Sequence, residues 1–231
     1  MAETGEKGKM KWKPVLAVVL VLAVLGLFFT SDFGKPFLGS MGEGLGGLTG
    51  YVFKPTQTGE GFELTLTTQK ETFYMQKYNL VGSTLYVDGI YNFIKIGDQL
   101  FESKSGKSII LNIKGISGEI EFTSGGSIKL VGTSNYVEIA DLIATSEKAM
   151  KVEIEIIPKK ATISDFSQSQ IKFANINGRL ERYVGEAYDS ITLSNSKLDI
   201  QTFAGSLDWN DDGVKLSGTA LSAKGDNFSF D

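Results

Sequence analysis

The chain has 231 residues, is 42% hydrophobic and 11% aromatic, and carries a net charge of −4, a composition that packs rather than staying disordered. It has neither cysteine nor histidine. That excludes disulfides, a cysteine–histidine zinc site, a Ser-His-Asp triad, a cysteine nucleophile and a histidine general base.

Residues 1–13 hold Lys7, Lys9, Lys11 and Lys13, a basic tail. From Pro14 to Ser31 the chain carries no charge, and Val15–Phe29 is apolar except for Gly26. As a helix, residues 14–31 reach about 27 Å, enough for a thin bilayer. Trp12 lies at one end and Phe28, Phe29 and Phe33 at the other, where interfacial aromatics sit. The lysines precede the segment, so the positive-inside bias puts the N-terminus in the cytoplasm and the C-terminal part outside. The expectation is a single-pass signal-anchor helix. A cleaved signal peptide is its rival, since a basic n-region and an apolar h-region look the same. No Ala-x-Ala-like site directly follows Phe29, and Leu38-Gly39-Ser40 is a poor late one.

Residues 32–50 read as a tether, because Gly39–Gly50 is half glycine. A stripe of Phe37, Leu38, Met41, Leu45 and Leu48 suggests a membrane-surface helix instead, but glycine makes such a helix costly.

From Tyr51 to the end, apolar residues alternate with period two. Phe62, Leu64 and Leu66 share one face. Ile120 and Phe122 oppose Glu119 and Glu121. Val152, Ile154 and Ile156 oppose Lys151, Glu153 and Glu155. Between residues 73 and 93 come Phe73, Tyr74, Tyr78, Tyr86, Tyr91 and Phe93. They read as core and cross-strand pairs, or alternatively as the lining of an apolar groove. Turn signals recur at Asp88-Gly89, Gly97-Asp98, Ser105-Gly106, Ser117-Gly118, Gly125-Gly126, Asn177-Gly178, Asp212-Gly213 and Gly225-Asp226. The alternation slips at Asn195-Ser196, the mark of a bulge or tight turn. "EIADLIATSEKAM" breaks the rhythm with helical spacing of Ile139, Leu142 and Ile143, and predicts one short helix over 138–148. The expected fold of residues 51–231 is therefore all-β, a sandwich, jelly roll or stacked open sheet, with that one helix.

"LVGST" (80–84), "LVGTS" (130–134) and "LSGTA" (216–220) share Leu-x-Gly-Ser/Thr at unequal intervals. The plain reading is strand ends running into glycine turns; the other is a divergent set of similar strand pairs.

Among candidate sites, Asp208, Asn210, Asp212 and Gly213 match the opening half of a calcium loop, in which alternating oxygens ligate and glycine permits the bend. Position twelve is Thr219 rather than glutamate, and Asn, Asp and Gly also make a hairpin turn. Glu119/Glu121, Glu153/Glu155 and Asp211/Asp212 are carboxylate pairs that a glycan hydrolase could use, though the first two sit at i, i+2 as outward strand charges do. Asn227-Phe228-Ser229 is a glycosylation sequon. No dinucleotide fingerprint or P-loop is present. Arg179 and Arg182 are the only arginines, and basic residues cluster only at the N-terminus, so nucleic acid is not an expected partner.

The sequence thus predicts a membrane-anchored, extracytoplasmic β domain, a non-enzymatic scaffold or binding module of the cell envelope. Its partner, a protein or surface component, would be engaged through a β edge or face, and no cofactor is expected beyond that calcium possibility. The alternative is a lipid-handling protein with an apolar groove. The layout, one N-terminal helix followed by a β stack, resembles in outline the bitopic bridging proteins of lipopolysaccharide export. The resemblance lies in layout rather than in a motif, and lipid handling is what it implies.

Overall fold

The computed structural model describes residues 61–102 and 106–231. The basic tail, the apolar segment, the tether and the first ten residues of the expected β domain lie outside the described residues.

Alternation becomes strand along nearly the whole described chain. The strands are β1 (Phe62–Thr68), β2 (Lys77–Ile96), β3 (Gln99–Glu102), β4 (Ser108–Phe122), β5 (Ile128–Ile139), β6 (Leu142–Val184), β7 (Ala187–Asn210), β8 (Gly213–Ala220), β9 (Ser222–Gly225) and β10 (Ser229–Phe230). All pairings are antiparallel, in the order β10-β9-β7-β8-β1-β6-β5-β4-β2-β3, with β6 also bonded to β7 and to β2. The extra pairings close the sheet on itself twice. One circuit runs β6-β7-β8-β1 and back to β6, and the other runs β6-β5-β4-β2 and back to β6. Strand β6 belongs to both.

A strand of 43 residues would reach about 140 Å if straight, so β6 must coil. Asp165 takes a left-handed φ of 57°, and the β6–β7 register slips around it. The bulge of β2 at Gly82 (φ 68°) comes close, and Ser83 Oγ donates to the Asp165 carbonyl at 3.1 Å. Bulges re-aim strands in this way.

The alternating faces predicted for β1, β4 and β6 point inward as expected. Phe62, Leu64, Leu66, Ile120, Phe122, Val152, Ile154 and Ile156 are all buried. The slip at Asn195 is a bulge, with Asn195 at φ 48° between the Ile176↔Ser196 and Gly178↔Leu193 pairs.

The short helix predicted over 138–148 is not formed. Strand β5 ends at Ile139, Ala140 and Asp141 make the turn with Ala140 at φ 50°, and β6 starts at Leu142. Ile139↔Leu142, Glu138↔Ile143 and Val137↔Ala144 are cross-strand pairs. An eleven-residue helix is marginal on propensity alone, and the hairpin gives the same backbone groups ladder partners from β5. The described helical structure is one 3-10 turn, Lys70–Phe73, which drives Phe73 into the core.

Three expected turns are also corrected. Gly89, Gly118 and Gly178 lie inside strands and pair across the sheet. At each a β-carbon would strike the neighbouring backbone, so glycine marks close approach there rather than a turn.

Of the Leu-x-Gly-Ser/Thr motifs, 80–84 and 130–134 sit within β2 and β5, while 216–220 forms the end of β8. Two of them belong to one repeated hairpin. In β4–β5 the facing pairs are Gly118↔Gly132, Ile120↔Leu130 and Phe122↔Ile128. In β7–β8 they are Gly205↔Gly218, Leu207↔Leu216 and Trp209↔Val214. The tips of the two hairpins meet, with Phe122 and Trp209 stacked at 5.4 Å and an interplanar angle of 15°.

Tyr78 sits beside this stack among Phe73, Phe122 and Phe166, with ring centroids 5.3–6.4 Å away. Its hydroxyl is buried without a hydrogen-bond partner. A buried, unpaired hydroxyl costs about 1–3 kcal/mol. Tyr78→Phe is therefore expected to stabilise the domain by about 1 kcal/mol or more, read from the denaturant midpoint. Burial also pushes the Tyr78 phenol above its ordinary value. Its contribution is whole below about pH 10, where the unfolded phenol titrates, and is lost as pH rises further. The phenylalanine variant should lose less stability than the parent above that pH.

Candidate functional site

The outward carboxylate pairs are answered by lysines. Lys77 lies 3.1 Å from Glu119 and 3.4 Å from Glu121, and its hydrogen bond to Glu119 together with both negative charges holds the ammonium above its ordinary value. Lys129 meets Glu155 at 3.8 Å and Lys95 meets Glu153 at 4.0 Å. These are cross-strand surface pairs of the ordinary kind.

Asp208 lies on β7 opposite Lys215 and accepts from Thr162 Oγ1 at 2.7 Å. Asn210 Oδ1 accepts the Asp212 backbone N–H at 2.9 Å, closing a two-residue turn over Asp211 and Asp212 with Gly213 at φ 136°. Thr219 stands on β8 and donates to the Ala204 carbonyl at 3.4 Å rather than reaching the turn. Asp208 thus spends an oxygen on Thr162 of β6, and Asn210 spends one on the turn backbone. Among the described residues no group of three or more acids gathers as a metal-ligand set. Asn227 is exposed in the turn between β9 and β10.

Of the aromatic group, Phe73 and Tyr78 are in the core, while Tyr86, Tyr91 and Phe93 are half-buried on β2. The interior is filled: Phe73, Phe122, Phe166, Phe203 and Trp209 are all at most 2% exposed. Concavities open instead on the surface. The roomiest of those described is an open groove of about 500 Å³, where Phe173 and Leu198 lie among Lys172, Lys197, Lys224 and Asp199.

The edge strands of the series, β3 and β10, have four and two residues, short enough to discourage uncontrolled strand addition. Among the described residues, β7 from Ala187 to Leu193 pairs with β6 alone. It is the longer open edge beside the β6–β7 turn.

Both arginines stand at that turn. On the outer face Arg179 donates to Tyr188 Oη at 2.6 Å and to Ser190 Oγ at 2.9 Å, and pairs with Glu181 at 2.9 Å. Tyr188 in turn donates to Glu181 at 3.0 Å. Tyr183 packs against Tyr188 with centroids 5.0 Å apart. Partial burial, with the Glu181 carboxylate second, raises the Tyr183 phenol above its ordinary value. On the inner face Arg182 closes the end of the core, with its guanidinium 5.5 Å from the Phe62 ring centre and 4.9 Å from that of Phe230. Asp189 meets it at 3.7 Å. The turn between carries exposed Val184, Gly185 and Glu186. Sequence reading noted the arginines only for their scarcity. The signal was "RLERYVGEAYD", two arginines and a tyrosine before one glycine turn and a second tyrosine after it.

No family model, no curated protein and no solved structure matches this chain.

Proposed function

We propose that the chain is a single-pass membrane protein whose all-β domain lies outside the cytoplasm and works as a non-enzymatic scaffold or binding module of the cell envelope. The observation that carries it is the charge-free Pro14–Ser31 stretch behind four lysines. A stretch of that length is stable in hydrocarbon and costly in water. The filled interior supports binding by the outer surface, by the open β7 edge or by the Phe173–Leu198 groove, over carriage of a lipid inside the sheet. Anchoring raises the local concentration of such a surface at the membrane, so modest affinity for a partner suffices.

The test is fractionation of the full chain after expression in a bacterial host, with the mass of the purified product. The expected result is a full-length chain that resists carbonate extraction and needs detergent for release. Full-length chain in the detergent-free soluble fraction would sink the anchor, and a mass starting near residue 40 would replace it with a cleaved leader.

A further inference from the structure

We infer that the open edge of β7, residues 187–193, pairs antiparallel with the same edge of a second copy of the chain, about a two-fold axis at Ser190. The inference rests on the reading of the domain as a binding module that works through its outer surface, and it names the partner of that edge. It does not use the membrane anchor.

Three observations point to it. The first is the state of the edge. Among the described residues, β9 takes the free side of β7 at residues 198–201 and β8 takes it at 204–210, while residues 187–193 have β6 alone. Edges that stay in water are ordinarily blunted by lysine, by proline or by shortness. "AYDSITL" has no lysine, proline or glycine. Its one charge, Asp189, is answered by Arg182 at 3.7 Å, so no bare charge meets an incoming strand. The second is preorganisation. Arg179 of β6 holds Tyr188 and Ser190, and Glu181 holds Tyr188, through hydrogen bonds of 2.6–3.0 Å. The strand is therefore already extended, and little ordering entropy opposes pairing. The third is self-complementarity. The midpoint of residues 187–193 is Ser190, so full overlap sets Ala187 against Leu193, Tyr188 against Thr192 and Asp189 against Ile191 of the second copy. Tyr188, 47% exposed, gains a β-branched neighbour, a favourable cross-strand combination. No like charges oppose one another. A register centred on Asp189 would set two aspartates face to face, which destabilises a sheet. One centred on Ile191 would carry the ladder into the bulge at Asn195, where φ is 48°. In the Ser190 register each copy uses its edge once, and the assembly closes as a dimer rather than growing into a fibre.

Because the chain has no cysteine, Ser190→Cys and Thr192→Cys each give one thiol per copy. On the two-fold axis residue 190 faces its own counterpart within disulfide reach, whereas the two copies of residue 192 lie four positions apart along the strands, about 13 Å. Full-length protein is purified in mild detergent, its mass is taken by sedimentation, and its oxidation is followed on non-reducing gels. The parent is expected to be a dimer, and disulfide-linked dimer to form several-fold faster at residue 190 than at residue 192. Ser190→Lys sets two lysines face to face and should leave a monomer. Mixing it with Ser190→Glu should restore the dimer, which a variant that merely failed to fold would not do. Equal oxidation rates at the two positions, or a Ser190→Lys variant that stays dimeric, would overturn the inference. A monomeric parent would overturn it too, and amide exchange would then separate the causes. Fast exchange of the outward amides of residues 187–193 would leave the edge open to a different partner and the binding-module reading standing. Slow exchange there would assign the edge to a segment of its own chain and take it from that reading as well.

Discussion

Replacing Trp209 by alanine is expected to cost the domain about 3–5 kcal/mol, the range for deleting a fully enclosed large aromatic. Trp209 is 2% exposed. Its indole stacks on Phe122 and lies near Tyr74, with Lys70 Nζ 5.3 Å from the ring centre. The loss exceeds that of an ordinary core residue because of what the ring joins. Phe122 ends one copy of the repeated hairpin and Trp209 ends the other, so their stack ties the two closed circuits of the sheet together. Domains are stable by about 5–15 kcal/mol in all, and the variant should unfold at a much lower denaturant concentration. Trp209→Phe should retain a large part of the stability, since it keeps an aromatic face against Phe122. A cycle with Phe122→Leu should return a coupling of about 0.5–1.5 kcal/mol beyond the single losses. The measurement is far-ultraviolet circular dichroism of the detergent-solubilised full chain, because Trp209 is one of only two tryptophans. Independent, additive losses would mean that the stack carries no joining role.

Much of this architecture was legible in the residues, and the misses in the fold share a cause. Period-two alternation is local, so the inward faces of β1, β4 and β6 could be read directly, and the bulge at Asn195 showed as a break in phase. Strand length and closure depend on distant pairing. Gly89, Gly118 and Gly178 look like turn glycines until the backbone opposite them is known. The helical spacing of Ile139, Leu142 and Ile143 was real, but β5 offers that segment a ladder, and tertiary pairing outweighs a marginal propensity. The Asp208–Asp212 segment shows the same ambiguity at a site. Its oxygens alternate as ligands do, and in the fold they bond Thr162 and the turn backbone. The arginine–tyrosine turn was hidden for a different reason. Its residues are ordinary singly, and only the register of β6 with β7 brings them together.

The facing glycine pairs give the sharpest mutational forecast. Gly205 and Gly218 are direct partners on β7 and β8, and Gly118 and Gly132 on β4 and β5. A β-carbon on Gly205 would land against the Ser217 carbonyl and 2.6 Å from Gly218 Cα; one on Gly218 would meet the Ala204 carbonyl and lie 2.6 Å from Gly205 Cα. These neighbours are backbone, so no rotamer change relieves the clash and the strands themselves must part. Coiling the hairpin this tightly is what lets each copy fold over the core. Gly205→Ala or Gly218→Ala should therefore cost about 3 kcal/mol or more, at the upper end for overpacking. Gly125→Ala should fall within about 0.5 kcal/mol of the parent, since the nearest atom to its added carbon is a threonine hydroxyl at 3.8 Å. The double variant at 205 and 218 should lose less than the sum of the single losses, because strands parted for one methyl already make room for the other. Full additivity, or a loss at 205 no larger than at 125, would show that the two backbones are not in such close approach.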